Sequence, residues 1–155
     1  MEMILNLKEH PELVPEYVEL RNRYTALLLT QPVELLETVQ WINNTTAEIR
    51  VIKEENSLLG VVIVYLDRGG EIAFFARNRN KGIGSSLLKI ADEVARIRKI
   101  PSLWAWVRED NPIAVRVFEK CGYRQAGVEE RVHEGRSIRG TRHIKNIVER
   151  KYNEQ

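Results

Sequence analysis

The chain has 155 residues, of which 43% are hydrophobic and 30% charged, and its formal net charge is +2. This length predicts one compact domain rather than two, and the charge is too small to indicate nucleic-acid or membrane binding by itself. The single cysteine, Cys121, excludes an internal disulfide, and three scattered histidines show no metal-ligand spacing. No signal peptide or membrane-length apolar run is apparent, so we expect a cytoplasmic protein without a metal site.

The first half of the chain is predicted to pass from strand to helices and back to strands. Residues 3–7 form a short predicted strand, and apolar residues at helical spacing predict one helix over residues 11–29. The break at Gln31-Pro32 begins a second predicted helix, which runs to residue 44. Segments 48–53 and 58–66, rich in β-branched residues, predict two strands.

The middle of the chain contains a hairpin followed by a strand-turn-helix-strand unit. Residues 67–70 (Asp-Arg-Gly-Gly) predict a tight turn, so the next strand, residues 71–77, should be antiparallel to the previous one. An amphipathic helix follows over residues 83–97, and residues 102–108 predict another strand. Because a helix separates the strands at 71–77 and 102–108, we expect these two strands to be parallel.

The last third of the chain begins with a capped helix. Asn111 is a predicted N-cap with Pro112 at the first helical position, and the helix should end near Cys121 at Gly122. Two closing strands are predicted over residues 123–132 and 137–148, joined at Glu134-Gly135. Residues 151–155 are expected to be a frayed tail.

One stretch carries the clearest chemical signal. Residues 79–88 read Arg-Asn-Lys-Gly-Ile-Gly-Ser-Ser-Leu-Leu and lie between a predicted strand and a predicted helix. Gly82 and Gly84 let the backbone bend and approach a ligand, and the free N–H groups of the following helix start favour an anion. The motif is not a P-loop, because no Gly-Lys-Ser/Thr ends it, and it lacks the third glycine of a Rossmann fingerprint.

Two motifs together resemble a known family. The pattern Arg79-x-x-Gly82-x-Gly84 resembles the coenzyme A pyrophosphate loop of the GNAT (Gcn5-related) N-acetyltransferases, and residues 111–123 resemble the family's Asn-x-x-Ala…Tyr/Phe-Glu-Lys-x-Gly-Phe/Tyr segment. The order of predicted elements is similar to that fold over nearly the whole chain. The resemblance implies an α+β, three-layer domain over residues 1–150, with a mixed, mainly antiparallel sheet of about seven strands flanked by about four helices.

The resemblance implies acetyl-CoA as the acyl donor. Its pantetheine arm would pair with the strand around Phe74 like an added strand, and its pyrophosphate would bind N–H groups near Gly82. Solvated surface charges remain an alternative for Arg79 and Lys81, and Asn111 can serve as a helix cap alone. The residues assigned to the coenzyme are Phe74, Phe75, Ala76, Arg77, Arg79, Asn80, Lys81, Gly82, Ile83, Gly84, Ser85, Ser86, Asn111, Ala114 and Phe118.

The implied reaction is direct attack of a neutral amine on the thioester in a ternary complex. Glu71 is our first candidate for the general base, with Asp67 weaker, although Glu71 could also be a solvated carboxylate beside the turn. A strand N–H near Phe75 or Ala76 would stabilise the oxyanion. Phe118 occupies the place where much of the family has a proton-donating tyrosine, so a non-catalytic acyl-CoA-binding sensor is the alternative function.

The acceptor is the least determined part of the prediction. Residues 20–24 and 40–42 resemble the start of GNAT members that acetylate nucleotide-linked amino-sugars and of ribosomal-protein N-terminal acetylases. We therefore expect a primary amine of a small molecule or of a protein N-terminus, without nucleic-acid or membrane partners and with a homodimer left open. Trp104 and Trp106 are expected in the core and cleft wall. Arginines that could favour an anionic acceptor, or could be ordinary surface charges, are Arg21, Arg23, Arg131, Arg136, Arg139 and Arg142.

Overall fold

Seven strands form one mixed sheet in the computed structural model, which describes residues 2–78 and 82–148. The order of strands across the sheet is β1-β2-β3-β4-β5-β7-β6, and β4 and β5 are the parallel pair. The strands are β1 (Glu2–Asn6), β2 (Glu48–Glu54), β3 (Ser57–Tyr65), β4 (Glu71–Ala76), β5 (Ser102–Arg108), β6 (Arg124–His133) and β7 (Arg136–Asn146). The predicted mixed, mainly antiparallel sheet of seven strands is confirmed.

Helices cover both faces of this sheet. They are α1 (Val14–Asn22), α2 (Thr25–Leu28), α3 (Leu35–Asn44), α4 (Ile83–Arg98) and α5 (Pro112–Lys120). The longest, α4, is amphipathic and buries an apolar stripe that includes Leu87, Leu88 and Ala91. Within the described parts of the chain, no helix has both the length and the apolar character needed to cross a membrane.

Two apolar layers hold the three-layer architecture together, because side chains alternate between the faces of each central strand. We call the side covered by α1 and α3 the α1 face, and the side covered by α4 and α5 the α4 face. The layer on the α1 face includes Ile49, Val51, Leu58, Val61, Ile63 and Phe75. The layer on the α4 face includes Ile52, Val62, Val64, Ile72, Leu103 and Ala105.

The single helix predicted over residues 11–29 is wrong. A 3₁₀ turn over Pro11–Leu13 precedes α1, and α1 ends where the N–H groups of Arg23 and Tyr24 bond three residues back, to the carbonyls of Leu20 and Arg21. These tighter bonds cannot continue an α-helix, so the chain breaks before the four-residue α2. The break divides one predicted helix into α1 and the short α2.

The second helix also begins later than predicted, at Leu35 instead of near Gln31. The side chain of Asn22 binds both backbone groups of Val33. Its Oδ1 accepts from the Val33 N–H (2.9 Å), and its Nδ2 donates to the Val33 carbonyl (3.0 Å). Because Val33 is held in this way, the segment after Pro32 stays extended and crosses the end of α1. No local sequence pattern encodes this contact between two separate segments.

The sheet opens between β4 and β5. These parallel strands pair at one position, Glu71 with Trp104, where the Trp104 N–H donates to the Gly70 carbonyl (3.1 Å). Beyond that point β4 continues along β3 as far as Ala76, and β5 continues along β7. The two strands are therefore adjacent and parallel, as predicted, and they diverge toward the C-terminal end of β4.

The backbone of β4 determines which groups face this opening. The Arg77 N–H donates to the Leu59 carbonyl of the β3 side (2.8 Å). Since alternate residues of an antiparallel strand bond the same neighbour, Phe75 also bonds β3, whereas Phe74 and Ala76 direct their N–H and C=O groups into the opening. The Ala76 carbonyl there accepts a hydrogen bond from the Tyr24 hydroxyl.

Candidate active site

A cavity of about 180 Å³ lies at the opening between β4 and β5 and is lined from both faces of the sheet. The lining on the α1 face includes Arg21, Tyr24, Tyr65, Arg68, Glu71, Trp106 and Arg131. The lining on the α4 face includes Phe74, Gly84, Asn111, Ala114, Val117 and Phe118. Two ligands that approach from opposite faces could therefore meet at the exposed edge of β4.

The start of α4 is a candidate anion site beside the cavity. Gly82 is its N-cap with φ +75°, a left-handed conformation that glycine adopts without strain. Apart from its chain neighbours, no described residue has an atom within 4 Å of the place where a Cβ on Gly82 would be. The N-cap provides no side-chain hydrogen bond to the first turn of α4. The first N–H groups of this 16-residue helix have no carbonyl partner within the helix, which suits them to a pyrophosphate.

Gly84 has a different role, since it allows close packing. A Cβ at this position would lie 3.1 Å from Cε2 of Phe74 and 3.3 Å from Cγ1 of Val117. The first turn of α4 can therefore lie directly against β4 and α5 only without a side chain there. This packing brings the helix start to the wall of the cavity.

The start of α5 forms the opposite wall on the α4 face. The predicted cap is confirmed: Asn111 Oδ1 accepts from the Ala114 N–H (3.4 Å), with Pro112 in the first turn. Phe118 is 2% exposed. Its ring packs edge-on against Phe74 and Tyr123, at centroid distances of 5.4 and 5.0 Å. This wall is apolar where much of the family would have a phenol.

Most of the predicted coenzyme residues lie at this cavity or at the adjoining helix start. Those that line the cavity, together with Glu71, are Phe74, Phe75, Ala76, Gly84, Asn111, Ala114 and Phe118. Gly82, Ile83, Ser85 and Ser86 form the helix start without lining the cavity. Arg79, Asn80 and Lys81 lie outside the described residues.

Two of the predicted coenzyme residues direct their side chains elsewhere. The Arg77 guanidinium donates from Nη2 to Glu16 Oε2 (2.9 Å) and from Nε to the Leu58 carbonyl (2.8 Å), so it ties β4 to α1 and β3. The Phe75 ring packs on the α1 face, 5.9 Å from the Tyr17 ring. The N–H of Phe75 also belongs to the β3 ladder, so of the two N–H groups predicted for the oxyanion, that of Ala76 faces the opening.

Glu71 lies on the α1 face with both carboxylate oxygens engaged. Its Oε1 accepts from Arg68 Nη1 (3.1 Å) and its Oε2 accepts from Arg131 Nη2 (3.4 Å). The residue is 9% exposed and lines the cavity, which does not favour the alternative of a fully solvated carboxylate. A carboxylate has about four acceptor positions, so Glu71 can still accept a further hydrogen bond from a ligand or a water.

A tryptophan supports one of these arginines. Trp106 lines the cavity, as predicted for a cleft wall, and its Nε1 donates to the Glu129 carbonyl (2.8 Å). The Arg131 guanidinium lies 4.8 Å from the centre of the indole, within cation–π range. A Cβ on Gly140 would approach Trp106 to 2.3 Å, so the indole can lie across β7 only because that residue is glycine.

Sequence reasoning missed two residues of the site. Tyr24 continues the apolar spacing of α1, which indicates a core residue, and only the break in the helix brings its hydroxyl to Ala76. Arg68 lies in a hairpin turn, where a charged side chain is usually solvated. A carboxylate three residues further on, at Glu71, was the available signal for an ion pair.

The sequence model of the family described as "Acetyltransferase (GNAT) family" matches residues 14–123, which is most of the chain. The chain belongs to the GNAT acetyltransferase family. At the level of this family the activity is N-acetylation with acetyl-CoA as donor. The matched segment contains the cavity walls contributed by β4, α4 and α5, whereas Arg131 lies beyond it. A comparison with curated protein sequences finds no match.

Solved structures of other GNAT proteins share the fold. A ribosomal-protein-alanine N-acetyltransferase from Brucella melitensis is 20% identical with a TM-score of 0.81, and covers 93% of this chain and 99% of its own. A spermidine N-acetyltransferase from Vibrio cholerae, in complex with CoA and spermine, is 21% identical with a TM-score of 0.79 (94% and 95% covered). A phosphinothricin acetyltransferase from Sinorhizobium meliloti, in complex with acetyl-CoA, is 14% identical with a TM-score of 0.80 (94% and 88% covered). At these identities the likeness shows the fold and leaves the acceptor undetermined.

Proposed function

We propose that this GNAT protein transfers an acetyl group from acetyl-CoA to a primary amine, of a small molecule or of a protein N-terminus, in a ternary complex. The observation that carries the proposal is the cavity at the β4–β5 opening, which is lined from both faces of the sheet. Acetyl-CoA would supply an activated thioester from the α4 face, and the amine would enter from the α1 face. In direct transfer the amine itself attacks the thioester, and no side chain of the enzyme carries the acetyl group between them. Donor and acceptor must therefore meet at one place.

The donor half would bind the coenzyme mainly through backbone groups. The N–H and C=O groups of Phe74 and the N–H of Ala76 point into the opening and can pair with the amides of a pantetheine arm as an added strand would. Tyr24 occupies the Ala76 carbonyl, which leaves the Ala76 N–H as the donor to a developing oxyanion. The pyrophosphate would bind at the start of α4, where Gly82 leaves open space.

The acceptor half would bind the amine and remove its proton. Aliphatic amines are mostly protonated at pH 7, so the reaction needs a base before the nitrogen can attack. Glu71 lies three residues from Phe74, which is roughly 10 Å along a strand at about 3.3 Å per residue. We therefore propose that Glu71 accepts the proton through a water in the cavity, while Arg68 and Arg131 hold the carboxylate in place.

The test is release of free CoA thiol from acetyl-CoA in the presence of amino-sugars, polyamines, amino acids and peptide amines. We expect release with at least one class, and we expect acetyl-CoA alone to raise the melting temperature because it binds only the folded protein. No thermal shift at millimolar acetyl-CoA would contradict donor binding. A shift without thiol release from any amine would contradict catalysis.

A second candidate is a non-catalytic acyl-CoA-binding sensor, and Phe118 is the observation that favours it. This residue closes the apolar wall beside Phe74 and Val117, and a phenylalanine has no proton to give to a departing thiolate. A thiol is a fairly good leaving group, with a reference pKa of about 8.5 for cysteine. We therefore favour an enzyme in which water protonates the thiolate.

The substitution Phe118→Tyr tests what the missing hydroxyl means for catalysis. We expect coenzyme binding to be retained and kcat to rise wherever thiolate departure limits the rate, by a factor at or below about 10², the low end for general acid–base assistance. The new hydroxyl enters a tightly packed, apolar wall, and without a partner it would cost about 1–3 kcal/mol of stability. Steady-state kinetics and a melting curve measure the two effects separately. An unchanged kcat at full stability would show that a hydroxyl at this position does not assist the rate-limiting step.

A further inference from the structure

The part of the cavity on the α1 face has an excess of positive charge. Its lining there includes three arginines, Arg21, Arg68 and Arg131, and a single carboxylate, Glu71. A further lining arginine, Arg108, donates two hydrogen bonds to Asp110 and is thereby compensated. The charge around the acceptor half therefore depends on how far Glu71 compensates the other three.

Glu71 cannot compensate all three. It is shared between Arg68 and Arg131, one oxygen to each. Arg131 has a second carboxylate partner in Glu129 (2.9 Å), which does not line the cavity. Arg68 remains more than half exposed and has Glu71 as its ion-pair partner. Glu71 and Glu129 together balance the charges of Arg68 and Arg131, so the excess at this wall is the charge of Arg21.

Arg21 is not compensated by Glu71 at all. Its Nη1 donates to the Gln31 carbonyl (3.3 Å), and within residues 2–78 and 82–148 no ion pair joins it to a carboxylate. Arg21 and Arg68 lie near the same phenol: burial raises the pKa of Tyr65, while the charges of Arg68 and Arg21 lower it, and Glu71 and Asp67 raise it. The Arg68 guanidinium lies 4.2 Å from the centre of the Tyr65 ring, and Arg21 lines the same cavity, so both guanidiniums are available at this wall.

We infer that the acceptor carries an anionic group, a carboxylate or a phosphate, in addition to its primary amine, and that Arg21 and Arg68 bind this anion. The inference rests on the proposed function, because it assigns the α1 side of the cavity to the acceptor. Guanidinium groups present planar pairs of donors that match carboxylate and phosphate oxygens. A polyamine would instead bring further positive charge to a wall that already has an excess.

Binding to the CoA-saturated protein tests this inference without any transfer of acetyl groups. Calorimetric titrations compare γ-aminobutyrate with n-butylamine, and phosphoethanolamine with ethanolamine, so that each pair differs in its anion and the two pairs separate carboxylate from phosphate. We expect at least one amine that carries an anionic group to bind at least about tenfold more tightly than its counterpart without that group, the low end for a charge-assisted hydrogen bond. The preference should weaken as salt is added.

Arg21→Gln and Arg23→Gln form the matched pair of variants. Arg21 is half-exposed and Arg23 is exposed, and both lie near the end of α1. Arg23, however, pairs with Glu19 on the surface and does not line the cavity. We expect Arg21→Gln to remove most of the preference for the anionic amine, and Arg23→Gln to retain it. Melting curves of both variants show whether either change has disturbed the fold.

The results separate this inference from the proposed function. The inference would be overturned if n-butylamine, ethanolamine or spermidine bound as tightly as the amines that carry an anionic group. It would also be overturned by a preference that survives in Arg21→Gln, or if no amine with an anionic group bound at all. Anion-dependent binding without thiol release would overturn catalysis and support the anionic acceptor. Thiol release only with amines that lack an anionic group would support catalysis and overturn the anionic acceptor.

Discussion

Glu71→Gln is expected to lower kcat/KM by roughly 10²–10⁴, the usual contribution of a general base. The amide keeps the shape of the side chain and can still accept from Arg68 or Arg131, but it cannot take the proton of the amine. The deficit should be largest where the acceptor amine is protonated and should shrink as the pH rises toward the amine pKa, because a neutral amine needs no base. A pH profile of kcat/KM for both proteins measures this.

Glu129→Gln is the control for Glu71→Gln. Glu129 also accepts from Arg131 (2.9 Å), but it does not line the cavity. Its replacement should therefore change kcat/KM little and leave the shape of the pH profile as in the unmodified protein. Equal losses in both variants would show that Glu71 acts by holding Arg131 in place, and a constant deficit at every pH would show that it is not the base.

Gly82→Leu is expected to remove the thermal stabilisation by acetyl-CoA. The leucine side chain would occupy the open space at the start of α4 where we place the pyrophosphate. For the unmodified protein, a donor concentration of about 100 Kd adds about 2.7 kcal/mol of stability, which corresponds to a rise in melting temperature of roughly 5–10 °C for a domain of this size. The measurement is the melting temperature with and without acetyl-CoA.

Gly135→Leu provides a closely matched control. Gly135 has φ +76°, against +75° for Gly82, and at either position no described residue other than the chain neighbours has an atom within 4 Å of a Cβ. Both substitutions therefore cost a similar left-handed strain, about 1–2 kcal/mol, but Gly135 lies in the β6–β7 turn, outside the cavity lining. The control should melt earlier and still respond to acetyl-CoA. A normal response in Gly82→Leu would contradict the proposed pyrophosphate site.

The fold could be predicted largely from local patterns. Alternation of apolar residues identified the central strands, and the spacing of apolar residues identified α4, because each of these elements buries one or both faces in the core. The cap at Asn111 and the stop at Gly122 were equally local signals. The late start of α3 was not predictable in this way, since the bond between Asn22 and Val33 joins two segments across a loop.

The candidate site was predictable where backbone geometry decides it. Gly82 and Gly84 indicated the helix start directly, through the absence of side chains. The environment of Glu71 was not predictable, because one of its two partners, Arg131, lies 60 residues away on a different strand. The direction of the Arg77 side chain depends on how β3 and β4 pair. The sequence of β4 alone does not show on which face of the sheet its last side chains lie.

In our proposal, the opening between β4 and β5 also separates two functions that evolution could change independently. The donor half would rely on backbone N–H groups, which most side-chain substitutions leave in place. The acceptor half would rely on the side chains of Arg21, Arg68 and Arg131, which come from a helix, a turn and a distant strand. Each of these can be exchanged separately, so descendants of this chain could acquire a new acceptor by one substitution at a time while the acetyl donor stays the same.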